Sequence, residues 1–465
     1  MKLTSLTKNT IILGIGQLIP KIISVITLPL LTKAFSTSDY GIYDLVLSFS
    51  SLFLPIMTLM IQQAVFRFLI EDSSEKNRKI CVSNALFVIF FISLVVLFSA
   101  VLITKYTKNN IEIVLVAFLI YFLESIYDLL GQISRGIGKN TWYSIAIIFY
   151  SISNMIFLLI AIKTNILNIQ IALLIIGIAY LIASIYLSIK LNIKEYIHIK
   201  DISILNIKKL LLYSIPIVPS SISLWITNLS DRFIITYFIG TSLNGIYAAA
   251  CKLPNMYANF YNVFNLAWTE HAARNINKPK IEEYYSSLLK KISSIMIGIL
   301  LLLLTFSKLL FNLLIDSKFQ EGYAQLPILY VGILFSCFVS FYGGLYVALK
   351  KSKQVGMSSI IGAILNFLIN IIFIKKIGLY AASVSTLISF FIILMYRVID
   401  INKYIKLKYE FKDILIYIIT IIISICLFYM NNTIAFGLNI IISTIFNIIF
   451  NFKEINSLLK NKDLD

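Results

Sequence analysis

Apolar residues fill this chain in long blocks, each separated from the next by a short polar turn. The blocks run to about 20 residues, which at roughly 1.5 Å per helical residue spans the hydrocarbon core of a bilayer. The pattern predicts fourteen helical spans, at about 10–33, 42–65, 80–103, 111–133, 142–162, 168–189, 210–230, 244–267, 287–311, 324–348, 355–374, 378–398, 413–430 and 433–452. Asn431-Asn432 joins the last two as a tight pair.

One stretch occurs twice. Ser36–Arg67 (STSDYGIYDLVLSFSSLFLPIMTLMIQQAVFR) has a polar turn, Gly-Ile-Tyr, an apolar span and a basic exit, and Tyr213–Arg274 contains the same sequence of features. Gly41-Ile42-Tyr43 and Gly245-Ile246-Tyr247 lie 204 positions apart, and the same offset sets Ser38 on Ser242, Arg67 on His271 and Lys21 on Trp225. Six spans separate the copies, so both enter the membrane in the same direction, as parallel repeats do when they form two bundles around a central site. The expected organisation is an N-terminal lobe at 1–190, a cytoplasmic linker at 191–209, a C-terminal lobe at 210–400, and a helix pair with a short tail at 401–465. The alternating lysines and isoleucines of the linker fit either a helix or ribbon at the membrane interface or a plain tether.

Loop charge tests this plan independently. With the N-terminus in the cytoplasm, one set of alternate loops carries 29 of the 40 lysines and arginines and the other carries nine. By the positive-inside rule both termini are cytoplasmic.

Composition fixes the class without altering the spans. Hydrophobic residues are 59% of the chain and charged residues 13%, against about a quarter charged in soluble domains. The formal charge of +18 lies in short blocks between spans, where it sets orientation and does not form a nucleic-acid-binding face. Cys81, Cys251, Cys337 and Cys426 are scattered without a metal or redox spacing, and His198 and His271 lack a zinc-like pattern, so no metal or cofactor is expected. No phosphate-cradling loop and no loop of catalytic size interrupts the spans, which argues against an enzyme.

The candidate chemistry therefore lies in ionisable groups at membrane depth. Lys21, beside Pro20 and two glycines in span 1, and Lys252, beside Pro254 in span 8, could face a cavity and hold an anionic head group; Lys21 could instead be paired structurally with Glu124. Glu124 and Asp128 lie one turn apart in span 4 and could bind a proton or sodium ion, or each neutralise a nearby cation. Asp231 and Arg232 stand at the outer end of span 7 as further coupling candidates. Trp225 could stack a sugar or simply pack. On span 8, Asn255 and Asn259 interleave with Tyr257 and Tyr261, residue types that suit sugar hydroxyls and ring faces but that also anchor helices in lipid. Arg67, Arg135, His271 and Arg274 form a possible cytoplasmic entry, or plain orientation charge.

The polar turn before Gly-Ile-Tyr, Pro216-x-x-Pro219, Ser230-Asp231-Arg232 and Ala267-Trp268-Thr269-Glu270 resemble lipid-linked oligosaccharide flippases of the polysaccharide transporter family. These belong to the multidrug/oligosaccharide-lipid/polysaccharide exporter superfamily. The resemblance covers nearly the whole chain and implies an all-α membrane protein, with two pseudo-twofold six-helix lobes in a V-shaped arrangement plus two C-terminal helices. It implies movement of an undecaprenyl-pyrophosphate-linked oligosaccharide across the bacterial inner membrane for O-antigen, capsule or exopolysaccharide assembly. A polymerase and chain-length or export machinery would be partners beside the membrane lipids, and no nucleic acid would be. Relatives that export drugs tend to carry an acidic residue in span 1, where this chain has Lys21. A peptidoglycan-precursor flippase, a drug:cation antiporter and, from another class, a membrane polymerase or glycosyltransferase remain the alternatives.

Overall fold

A computed structural model of the chain describes residues 5–72, 74–107, 111–276 and 278–452; the extreme N-terminus and the expected tail after 452 lie outside the described residues. The described residues form helices and no strands. The helices are α1 (Ser5–Ala34), α2 (Thr37–Thr58), α3 (Ile61–Glu71), α4 (Glu75–Thr107), α5 (Ile111–Gly136), α6 (Asn140–Lys163), α7 (Ile169–Lys190) and α8 (Ile204–Ser214). They continue with α9 (Val218–Ile239), α10 (Thr241–Asn275), α11 (Ile281–Leu314), α12 (Leu326–Ala348), α13 (Ser352–Ile377), α14 (Leu379–Ile401), α15 (Phe411–Met430) and α16 (Thr433–Phe446).

Among the described residues eleven helices are long and apolar enough to cross a membrane, or twelve if the bent pair Ile204–Ser223 and Asn228–Ile239, which meet at 56°, is one span. The fourteen spans expected from sequence are thus not all matched. Helices α1 and α10 stand where the first and eighth were expected and fall outside that set. In α10, Lys252 and the asparagines at 255, 259, 262 and 265 dilute the apolar run.

Helix starts follow local chemistry. Ser36 caps α2 by accepting the Asp39 amide at 3.1 Å, and Asn168 and Asn432 cap α7 and α16 in the same way. One expected span is divided: α2 ends at Leu59 and α3 begins after Met60, both in left-handed backbone with φ of 45° and 56°. The duplicated segment shows the contrast. Thr37–Glu71, displaced by the repeat offset, is Thr241–Asn275, which is the extent of α10. The second copy runs unbroken through the equivalent positions.

The chain's contacts gather into two compact units, Met1–Arg232 and Phe233–Asp465. In the first unit a core of Ile61, Ala64, Val65 and Leu69 from α3 meets Cys81, Val82 and Ala85 from α4 and Leu129, Leu130 and Ile133 from α5. The linker is pinned to α4 here. Ser83 Oγ donates to the Tyr196 carbonyl at 3.0 Å and accepts the His198 amide at 2.8 Å, while the Asn84 side chain bonds the Asp201 carbonyl and the Ser203 amide. Two short 3-10 turns and α8 result, not an unattached tether.

In the second unit the C-terminal pair docks on α11 through an asparagine ladder. Asn447 Nδ2 donates to the Gly298 carbonyl, Asn451 Nδ2 to the Ser294 carbonyl at 3.1 Å, and the Asn439 carbonyl accepts from Thr305. Such bonds link helices where the hydrophobic effect offers no preference between lipid and protein. At Gly298 a Cβ would take the space of the Asn447 and Asn451 side-chain ends, so an alanine there displaces the ladder. Gly298→Ala is expected to destabilise the protein by about 1–3 kcal/mol, read as a lower melting temperature in detergent, and adding Asn447→Ala should recover part of the loss.

Candidate functional site

The first unit concentrates polar chemistry on one face of α5. Glu124, Asp128, Gln132 and Arg135 follow at helical spacings of four, four and three, so they form one stripe. Ser50 Oγ from α2 donates to the Glu124 carboxylate, and the Tyr180 hydroxyl from α7 is also directed at it. Tyr180 stacks on Tyr150 with ring centroids 4.4 Å apart, and Tyr127 closes the aromatic wall at 5.4 Å from Tyr180. Below Glu124, Gln132 Nε2 donates to Asp128 Oδ1 at 3.4 Å, and Arg135 Nη1 donates to Gln132 Oε1 at 3.1 Å. Arg135 also lies over the Phe66 and Tyr143 rings at 4.9 and 5.5 Å. The expected carboxylate pair is therefore present, set in hydroxyl and amide partners that sequence reading did not name.

Lys21 is half-buried on α1, and among the described residues it makes no ion pair, so the alternative pairing with Glu124 is not formed. Close packing of α1 on α6 comes from Gly16, whose Cβ would meet Ser144 at 2.8 Å. Trp225, the residue at the repeat offset from Lys21, is engaged by packing. Its Nε1 donates to the Ser48 carbonyl at 2.7 Å and its ring stacks on Phe49 at 5.6 Å.

Asp231 and Arg232 are buried, and Arg232 Nε lies 3.4 Å from Asp44 Oδ2, joining α9 to α2. Asp44 is inside an expected span, one residue after Gly-Ile-Tyr, and its position was the available signal. The ion pair gives Arg232 a local structural partner beyond any coupling role.

In the second unit α10 sorts the expected residues onto two faces. Lys252, Asn255, Asn259 and Asn262 recur at three- and four-residue steps along one side and are half-buried or exposed. Tyr257, Tyr261 and Trp268 occupy the opposite side and are 0%, 1% and 2% exposed. The Tyr257 hydroxyl donates to the Met296 carbonyl at 2.8 Å, and Trp268 Nε1 donates to the Phe341 carbonyl at 2.9 Å. Expected at a cavity wall, the two tyrosines are packed into the bundle instead, since their stripe carries α10's contacts with its neighbours. The asparagines share the other face of the helix with Lys252.

The expected entry residues are engaged near their own helices. Arg67 pairs with Glu71 at 2.7 Å and Arg274 with Glu270 at 2.6 Å, both exposed one-turn pairs worth little in energy. His271 lies against the Tyr284 ring. A further cation escaped the sequence reading by standing at the end of its span: Arg397 is buried and donates to the carbonyls of Val339 and Val355 and to the hydroxyls of Ser358 and Ser359. These bonds tie α12, α13 and α14 together.

The sequence matches the family described as "Polysaccharide biosynthesis protein" over residues 6–269. An uncharacterized membrane protein of Methanocaldococcus jannaschii, MJ1068, is 22% identical over 420 residues, 83% of this chain and 82% of that protein. The fold is similar to that of lipid II flippase MurJ in an inward closed conformation, with a TM-score of 0.77 at 16% identity, covering 97% of this chain and 100% of that one. An inward-facing multidrug resistance MATE family transporter of the MOP superfamily is also similar, with a TM-score of 0.67 at 14% identity over 84% of this chain and 95% of that one.

Removing one member of the Asp44–Arg232 pair leaves the other charge buried. Arg232→Leu is expected to destabilise by about 3 kcal/mol or more, and Asp44→Leu with Arg232→Leu by less than the single change, both read as melting temperatures in detergent.

Proposed function

Since the chain belongs to the polysaccharide biosynthesis protein family, we propose that it is a flippase for undecaprenyl-pyrophosphate-linked oligosaccharides. It carries the repeat unit from the cytoplasmic to the outer leaflet of the bacterial inner membrane, supplying a surface polysaccharide such as O-antigen or capsule. The observation that carries the reading is Lys21, a half-buried cation without an ion pair among the described residues, on the helix where drug-exporting relatives tend to be acidic. A cation held at membrane depth is costly. It is suited to an anionic ligand that supplies the missing charge, and an ammonium binds phosphate as a point charge.

In this account Lys21 recognises the pyrophosphate from the first unit. On the second unit Lys252 is a further candidate cation for an anionic head group, and the Asn255, Asn259 and Asn262 amides beside it suit sugar hydroxyls. Arg67, Arg135, His271 and Arg274 supply positive potential for cytoplasmic entry. The binding residues are exposed alternately to the two sides of the membrane. The protein's work is binding and release, and no catalytic group is assigned. Net transport requires a ligand or ion that binds the two states unequally, and Glu124 and Asp128 are the proposed coupling groups. A polymerase or chain-length machinery would then consume the carried unit outside.

The fold likeness to lipid II flippase MurJ keeps a peptidoglycan-precursor substrate as the second reading. A strain lacking the gene separates them. The oligosaccharide reading predicts viable cells that lose surface polymer and accumulate lipid-linked repeat units in the inner leaflet. Wild type should restore the polymer. Lys21→Ala should fail to do so at unchanged protein abundance, with Lys21→Arg retaining part of the activity. Arrest of wall growth would indicate the peptidoglycan precursor, and full export by Lys21→Ala would remove the lysine from substrate recognition.

A further inference from the structure

The break between α2 and α3 has no counterpart in α10, although the repeat offset of 204 sets the two stretches on each other. Leu59 and Met60 both adopt left-handed backbone, a conformation that costs a side-chain-bearing residue about 1–2 kcal/mol. Neither residue is glycine, so the conformation is not an intrinsic choice of the local sequence. Strain of this kind persists where the surrounding structure imposes it, and it gathers at functional sites.

A helix that stops inside a membrane leaves its last carbonyls without intrahelical amides. Thr58 Oγ1 donates to the Leu54 carbonyl at 2.7 Å and accepts the Met60 amide at 3.1 Å, so the hydroxyl bridges the break. The first turn of α3 carries Gln62, which is 1% exposed. Its amide nitrogen faces Met60 Sδ at 3.7 Å, and its side chain reaches Asp128 on α5. Its carbonyl oxygen Oε1 is buried with no hydrogen-bond donor. An acceptor in that state loses hydration without compensation.

An unpaired acceptor, a carboxylate and a broken helix end are together a set of oxygens that lacks a positive partner. The charged and titratable groups around Asp128 do not fill that role in hydrogen-bond contact. Glu124 lies one turn away and is engaged by Ser50, Arg135 acts on Asp128 through space but is bonded to it only by way of Gln132, and Tyr127 and Tyr143 are neutral neighbours. Among the described residues no three His, Cys, Asp or Glu side chains gather. The donor set is thus one carboxylate with neutral oxygens, which suits a monovalent rather than a divalent or transition-metal ion. Discontinuous helices in transporters hold sodium in this manner, with carbonyls from the unwound end completing the ligands.

We infer that the α2–α3 break, Gln62 and Asp128 form a sodium-binding site in the first unit, with Asp128 supplying the charge and Gln62 Oε1 a neutral ligand. This rests on the proposed coupling role of the α5 carboxylates and narrows it to one ion, one carboxylate and one amide. The repeat asymmetry gives it a place: the second copy, with Val263 and Phe264 at the positions of Leu59 and Met60, keeps a continuous helix and lacks the carbonyl end.

The test uses purified full-length protein in detergent and in liposomes, without any lipid-linked sugar. Melting temperature is measured against sodium chloride, with potassium chloride holding ionic strength constant. A hydrophobic carbodiimide is then used to modify buried carboxyls, and the adduct on Asp128 is quantified by peptide mass spectrometry. Sodium, not potassium, is expected to raise the melting temperature, as a ligand bound only by the folded state must, and to suppress the Asp128 adduct. Asp128→Asn should abolish the thermal response, and Gln62→Leu should raise the sodium needed for half-protection by about tenfold, the loss of one ion-assisted contact. If Gln62→Leu does not fold, Gln62→Met carries the same expectation. Equal responses to sodium and potassium, or an Asp128 adduct governed by acidity alone, would overturn the site. These are equilibrium readouts, so a protein that flips lipid-linked sugars yet ignores sodium contradicts the cation site and leaves the flippase reading standing.

Discussion

A charged or strongly polar side chain inside a membrane has to be solvated by protein, because hydrocarbon supplies neither donors nor acceptors. That requirement accounts for most of the specific geometry in this chain. Arg232 meets Asp44, Arg397 is surrounded by two carbonyls and two hydroxyls, and Glu124 is held by Ser50 with Tyr180 directed at it. The asparagine ladder on α11 answers the same demand with neutral groups. Lys21 and Gln62 Oε1 are not answered in this way, and the functional reading starts from them.

The two units share a sequence plan without being equivalent in detail. Helices α2 and α3 together occupy the extent that α10 occupies in the second copy, and Lys21 stands where the second copy has Trp225. The first unit carries the broken helix and the carboxylate stripe, while the second presents Lys252 with its line of asparagines. Duplication supplied two similar scaffolds, and substitution at matching positions gave them different chemistry.

The membrane class, the duplication and most helix positions were legible because they depend on local composition and on period. Block length reported the spans, and the observed starts of α2 and α10, Thr37 and Thr241, lie at the repeat offset of 204. Other features depend on distant partners. Leu59 and Met60 give no glycine or proline signal, so the division of the second span could not be read from them, and Pro55 lies inside α2 without ending it. Asp44 and Arg232 meet across 188 positions, a pairing that only the folded chain defines. On α10 the polar and aromatic residues interleave in sequence, and helical geometry separates them into opposite faces. That separation removed Tyr257 and Tyr261 from the candidate surface and left the asparagines.

The central claim is that this protein moves an anionic lipid-linked oligosaccharide between leaflets. The most direct measurement incorporates the purified protein into liposomes containing a fluorescent polyprenyl-pyrophosphate oligosaccharide and follows quenching by a membrane-impermeant reagent added outside. The account predicts that the fraction protected in the inner leaflet becomes accessible over time only in liposomes containing the protein, and that excess unlabelled lipid-linked oligosaccharide slows the exchange. Persistence of the protected fraction at the level of protein-free liposomes, with correctly folded protein in the membrane, would contradict it.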